Sequence, residues 1–293
     1  MHKFFKITTL YIIFALTAIS CQSDDSTEST ISGNENIVLK RITKNRDNSI
    51  INFDSSGRFY LFTINENSIN EITLEHFFNN SKQRIKTISQ RPSLLITFDF
   101  TYNGSGQIEE ITKREESLSS VNETTVSFSY SDNQIIGTSI EGSENFTYTF
   151  TFSDSSYSEL IKFKAINLTT GTIILEEEYL YYPDGNFKKT NIIESSNDQI
   201  DAAYLTYTYD NKENPWVKGN RIDYLNEVLL YADKRTSSLT TLLVSYSKNN
   251  RTTSFINDHA IRLEYDDSGY LTKEIDYPLN SNNDEAIRFF EYY

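Results

Sequence analysis

The side chains in this sequence able to do chemistry are its 41 acids, its three histidines and its one cysteine. Two carboxylates at the right separation hydrolyse a glycosidic bond, and a histidine within hydrogen-bond reach of an exposed hydroxyl drives acyl transfer. His76 stands in "LEHFF" and His259 in "NDHAIRLEY", and no Gly-x-Ser-x-Gly elbow supplies a nucleophile for either. His76 reads as a half-buried strand residue and His259 as a solvated loop residue before a strand. Glu176, Glu177 and Glu178 are consecutive. On a strand Glu176 and Glu178 share one face while Glu177 opposes them, which reads as a solvated edge that resists pairing with other chains. Zinc requires His and Cys clusters that the chain lacks, and turns such as Asp266-Asp267 lack the ligand spacing of a calcium loop. No catalytic residue, metal or cofactor is therefore expected.

Aromatic rings are the remaining means of recognition. The chain has 20 Tyr, 19 Phe and a single Trp. Rings on an exposed sheet face stack on sugars or fill a partner's pocket, and interfaces are enriched in them. Trp216, Tyr204, Tyr207 and Tyr209 are the candidates for ligand binding, while most other aromatics are expected to pack a sheet.

The elements that would position these residues recur along the chain. An alternating apolar strand ending in an aromatic, a break of Asp, Asn, Ser or Gly, and a second alternating strand appear as "INFDSSGRFYLFTI", "ITFDFTYNGSGQIEEITK", "VSFSYSDNQIIGTSI", "YTFTFSDSSYSELIKF", "YLYYPDGNFKKTNII", "YLTYTYDNKENPW" and "LEYDDSGYLTKEIDY". Period-two alternation puts one strand face on a core, and the polar break tolerates the positive φ of a hairpin turn. Thr97, Asp99 and Thr101 alternate in this way with Phe98, Phe100 and Tyr102. The irregular spacing of the phrase argues against a solenoid or a propeller of fixed blade length. Ile222, Leu225, Leu229 and Ala232 fall at helical spacing, so a short helix is expected over residues 221–234. Asn79-Asn80 reads as the turn of one more hairpin. The expected fold is all-β, a many-stranded antiparallel meander forming one large curved sheet, open or barrel-like. Unless the sheet closes or its terminal strands are covered, its last segment, "IRFFEYY", would expose pairing groups, and deletion of residues 287–293 is expected to cause aggregation or misfolding.

The Tyr-x-Tyr-Asp-x-x-Gly phrase, as in "LEYDDSGYLTKEI" and "YLYYPDGNFKKT", resembles the YD-type β repeats of Rhs-like proteins. With "YTYDNKENPW", "SKNNRTT" and the closing "IRFFEYY", the chain resembles a group of Bacteroidota lipoproteins built on such repeats, over most of residues 37–293 and most closely after Tyr179. Two stretches depart from the pattern. "FSDSSYSEL" lacks the glycine and "YDNKENPW" replaces it with a proline turn. The resemblance implies an exported β-sheet protein and transfers no catalytic residue.

Residues 1–20 have the parts of an export signal: basic residues at Lys3 and Lys6, an apolar run over residues 10–19 and small residues before Cys21. The run is roughly half of what a helix needs to cross a bilayer. Ala18-Ile19-Ser20-Cys21 resembles the bacterial lipoprotein box, which implies that Cys21 is lipidated as the first mature residue. Asp24 and Asp25 resemble the surface-export signal of Bacteroidota lipoproteins. Residues 21–36 then form a polar tether and residues 37–293 a single repetitive β domain.

A formal charge of −14, deepened by loss of Lys3 and Lys6, offers no attraction to a phosphate backbone, so nucleic acid is excluded as a partner. The expected membrane contact is through the lipid, in an outer-membrane lipoprotein at the cell surface. Its expected role is to bind a glycan or an envelope protein. The alternatives are a polysaccharide hydrolase using two carboxylates and a scaffold in an outer-membrane assembly.

Overall fold

The computed structural model describes residues 38–45, 47–65, 68–195, 205–234, 238–253, 259–278 and 286–293. Strands β1 (Leu39–Lys44), β2 (Ser49–Phe53), β3 (Phe59–Ile64), β4 (Ile72–Phe78), β5 (Arg84–Arg91) and β6 (Leu94–Tyr102) are followed by β7 (Ile108–Ser117), β8 (Val121–Ser131) and β9 (Gln134–Glu141). Next come β10 (Glu144–Phe152), β11 (Leu160–Asn167), β12 (Thr172–Tyr181), β13 (Phe187–Ser195) and β14 (Tyr209–Glu213). Three short helices among the described residues, α1 (Pro215–Asn220), α2 (Tyr224–Leu230) and α3 (Thr240–Ser245), precede β15 (Asn249–Arg251), β16 (His259–Tyr265), β17 (Leu271–Pro278) and β18 (Ala286–Tyr292).

Sixteen of these strands form one open antiparallel meander. Its order runs from β13 down to β1 and continues through β18, β17 and β16. Alternation explains both of its faces. In β10 the rings of Phe146, Tyr148, Phe150 and Phe152 are buried, each burial contributing roughly 2–3 kcal/mol. Between them Thr149 faces Lys164, which in turn faces Glu176, on the opposite surface.

The recurring polar break is one turn used repeatedly. The side-chain oxygens of Asp54, Asn79, Asn103 and Asp266 each accept the N–H groups two and four residues on. The backbone oxygen of each also accepts the N–H three residues on. That third residue has positive φ, as at Gly57, Gly106 and Gly269, the form of a tight turn followed by a bulge. Antiparallel pairing throughout places all these turns, with those after β10 and β12, at one end of the sheet. Asn79-Asn80 is the turn of the hairpin β4–β5, as expected.

Lys82 holds the glycine position of its turn at φ 62°. A side chain in this region costs about 1–2 kcal/mol, partly offset by the greater freedom that glycine loses on folding. Lys82→Gly is therefore expected to raise stability by about 0.5–1 kcal/mol, read from the urea midpoint. A lowered midpoint contradicts this.

Four sequence expectations are corrected, that for His76 with the ionic cluster below. The final segment is not an outer edge, because β18 pairs with β1 on one side and β17 on the other. The true edges are β13 and β16, and the interval between them is occupied by the antiparallel pair β14–β15. Tyr207 N donates to Lys188 O at 2.8 Å on the β13 side, and Thr253 bridges to Ala260 on the β16 side. Glu177 is not solvated but fully buried. The segment leading into α3 covers it, and its Oε2 accepts Tyr179 Oη–H at 2.7 Å and Leu239 N–H at 3.4 Å. Burial pushes its carboxyl up. Glu176 is also buried, but on the opposite face, where it pairs with Lys162 and Lys164. His259 begins β16 rather than lying in a loop, with Nδ1 2.9 Å from Asp276 Oδ1.

The expected helix over residues 221–234 is present but begins earlier. Pro215 opens α1, whose cap is Asn214, the oxygen accepting from Trp216 N at 3.0 Å. The amide of Asn214 donates to Ser245 O and Ser247 O, tying α1 to the end of α3. The helices cover the apolar face of the sheet. Val228, Leu229, Leu242 and Leu243 join the aromatic core of β6–β13, and Trp216 packs on a second core formed by β1–β4 and β16–β18.

A buried ionic cluster seats α2 against the sheet. Arg58 lies 3.3 Å from Asp223, Arg84 lies 3.7 Å from Asp223, and Arg84 also pairs with Glu227. His76 is buried beside them, not half-buried as expected, with Nδ1 2.8 Å from Thr87 Oγ1. Burial, and then the positive charge of Arg84, hold His76 well below its usual range, so it is neutral. A histidine with a depressed folded pKa binds its proton preferentially in the unfolded chain. Its contribution is complete above about pH 6.5 and is lost as pH falls. We expect stability to drop by up to about 1.4 kcal/mol per pH unit below that point from this residue. In His76→Gln the slope should flatten; an unchanged slope contradicts the assignment.

Candidate binding cleft

A cavity of about 340 Å³ opens at the turn end, where the turns after β10 and β12 meet α2 and the end of α3. Four tyrosines line it: Tyr157, Tyr181, Tyr224 and Tyr246. They come from a turn, a strand end and two helix boundaries, and the fold fixes most of them. The Tyr181 hydroxyl donates to Leu160 O at 2.8 Å, and the Tyr224 hydroxyl accepts Leu160 N–H at 3.2 Å. Both hydroxyls are thus anchored on the first residue of β11. The Tyr224 and Tyr246 rings meet edge to face at 5.2 Å. Burial pushes the hydroxyls of Tyr181, Tyr224 and Tyr246 up, so all three stay neutral.

Tyr157 occupies the glycine position of its turn, at φ 54°. Its ring packs on Phe152 at 5.3 Å and Tyr130 at 5.7 Å. Non-glycine residues in the left-handed region cluster at functional sites. The missing glycine of "FSDSSYSEL" is the feature of the sequence that corresponds to this turn.

Two acids also line the cleft. Burial and the negative charge of Asp154 push Glu159 up. Asp184 is committed to its turn, Oδ1 accepting Asn186 N–H at 3.0 Å and Oδ2 accepting Asn186 Nδ2–H at 2.9 Å. A cleft of this size lies at the low end of the range for small-ligand sites, roughly 300–1,000 Å³. Its tyrosines, of which Tyr224 is buried, together with its serines, acids and cations, suit binding of a small polar molecule.

The aromatics singled out from the sequence lie elsewhere. Tyr207 is fully buried against Phe187 at 5.8 Å. Tyr209 is half-buried and its hydroxyl accepts from Ser247 Oγ at 3.0 Å. Trp216 packs on Phe53 at 5.6 Å and Phe59 at 5.7 Å. Tyr204, Cys21, Asp24 and Asp25 lie outside the described residues.

No family model and no curated protein matches the chain. Among solved structures it is similar to a porin-like protein from Bacteroides uniformis ATCC 8492, at 10% identity and a TM-score of 0.35, covering 88% of this chain and 95% of that one. A porin-like protein from Bacteroides vulgatus ATCC 8482 gives 12% identity and a TM-score of 0.31, over 87% of this chain and 98% of that one. The Tc holotoxin pore of Photorhabdus luminescens gives 9% identity and a TM-score of 0.24, over 81% of this chain and 15% of that one. At these TM-scores the similarity carries no conclusion about fold or function.

Proposed function

We propose that the protein is an exported lipoprotein of the outer membrane, anchored through Cys21, that binds a saccharide in the tyrosine cleft. The convergence of Tyr157, Tyr181, Tyr224 and Tyr246 on one cavity carries this reading. Ring faces held by packing and hydrogen bonds stack on a sugar with little further loss of freedom. The tether joins the domain at this same end, since Tyr293 N donates to Val38 O and Tyr293 Oη donates to Phe53 O. The test is binding to an immobilised panel of envelope and plant oligosaccharides. Tyr246→Leu, which keeps bulk but removes the aromatic face, is expected to weaken the selected ligand about two- to tenfold. Binding of no saccharide contradicts the proposal.

Glu159 favours a second reading, hydrolysis of the bound saccharide. A half-buried carboxyl pushed up in pKa is the form a proton donor takes, and Asp184 lines the same cleft. This reading predicts release of reducing ends from the ligand and loss of that release in Glu159→Gln. Binding without turnover leaves only the first reading.

A further inference from the structure

The charges around the cleft bear on which saccharide it takes. Arg221 and Lys248 line it, both exposed, and neither forms an ion pair among the described residues. Neither acid of the cleft forms an ion pair with them among the described residues. Both oxygens of Asp184 accept from Asn186, and the charge acting on Glu159 is the like charge of Asp154 rather than a cation. Beside the larger effect of burial, Glu159 raises and Arg221 lowers the Tyr224 hydroxyl, so charges of both signs reach the tyrosines, with the cations at the exposed rim. The chain as a whole carries −14, so most of its surface repels anions. Two free cations beside aromatic faces therefore select a ligand that the rest of the surface turns away.

We infer that the cleft takes an acidic saccharide, its ring lying on the tyrosines and its carboxylate or sulfate held by Arg221 and Lys248. The planar guanidinium fork matches either anion through paired N–H donors, and the ammonium adds a point charge. This inference rests on the saccharide reading given above.

Titration calorimetry on the purified protein tests it with three probes of matched length: an oligogalacturonate, a chondroitin sulfate oligosaccharide and a neutral malto-oligosaccharide. The expected result is tighter binding of one or both acidic probes, weakening as salt is raised. The first two probes separate carboxylate from sulfate recognition. Arg221→Gln and Lys248→Gln should each weaken the acidic probe about tenfold or more. Both positions are exposed, so the melting temperature of each variant should match the wild type. The inference is overturned if the neutral probe binds as tightly as the acidic ones, or if both variants bind the acidic probe like the wild type; the saccharide reading then stands. Failure of every saccharide to bind overturns both.

Discussion

A chain lacking residues 287–293 is expected not to reach the native fold. The lost segment is almost all of β18, which lies between β1 and β17 and joins the two ends of the chain across the sheet. Phe290 leaves the core, and its burial is worth roughly 3 kcal/mol. Glu274, 1% exposed, loses the two hydrogen bonds that Arg288 Nη1 donates to its carboxylate oxygens at 2.7 and 2.8 Å. Removing one partner of a buried pair costs about 3–5 kcal/mol. Together with the lost ladders, this reaches the 5–15 kcal/mol that holds a typical domain together. Two new edges would also open within the sheet, each a template for aggregation. Size-exclusion chromatography and thermal unfolding check this. A soluble, monomeric truncation with unchanged melting would contradict the assignment of β18 as an inner strand.

The second large effect is expected at the ionic cluster under α2. Glu227→Ala should destabilise the protein by about 3–5 kcal/mol, because Arg84 stays buried with only Asp223 near its charge. The pair Arg84→Met with Glu227→Leu removes both charges and fills the space. It should recover much of the loss, since a buried ion pair exchanged for apolar groups is often neutral. Urea unfolding of both singles and the double gives the coupling between them. A cost below about 1 kcal/mol for Glu227→Ala would mean that α2 is seated by its leucines alone.

Much of this architecture was legible in the sequence because it is local. The Asp-x-x-Gly phrase contains the acceptor and the positive-φ residue of its turn, and the alternation in segments such as residues 96–102 assigns each side chain a face without reference to the rest of the chain. The helix at 221–234 was legible for the same reason. What escaped depends on partners far away in sequence. Nothing in "IRFFEYY" says that β1 and β17 lie on either side of it, and Glu177 looks solvated until the segment leading into α3 covers it. The cleft is the extreme case. Tyr157, Tyr181, Tyr224 and Tyr246 meet only because the helices between β13 and β16 pack on the buried face of the sheet. Trp216 and Tyr207, the aromatics that stood out in the sequence, were drawn into the two cores by that same packing.

The central claim is that a saccharide binds between the cleft tyrosines. A crystal structure of the protein soaked with the tightest-binding oligosaccharide tests it most directly. The account predicts a sugar ring against Tyr157 and Tyr246, with Arg221 or Lys248 on its acidic group. A sugar seated on the outer face of the sheet, or an empty cleft at saturating ligand, would contradict it.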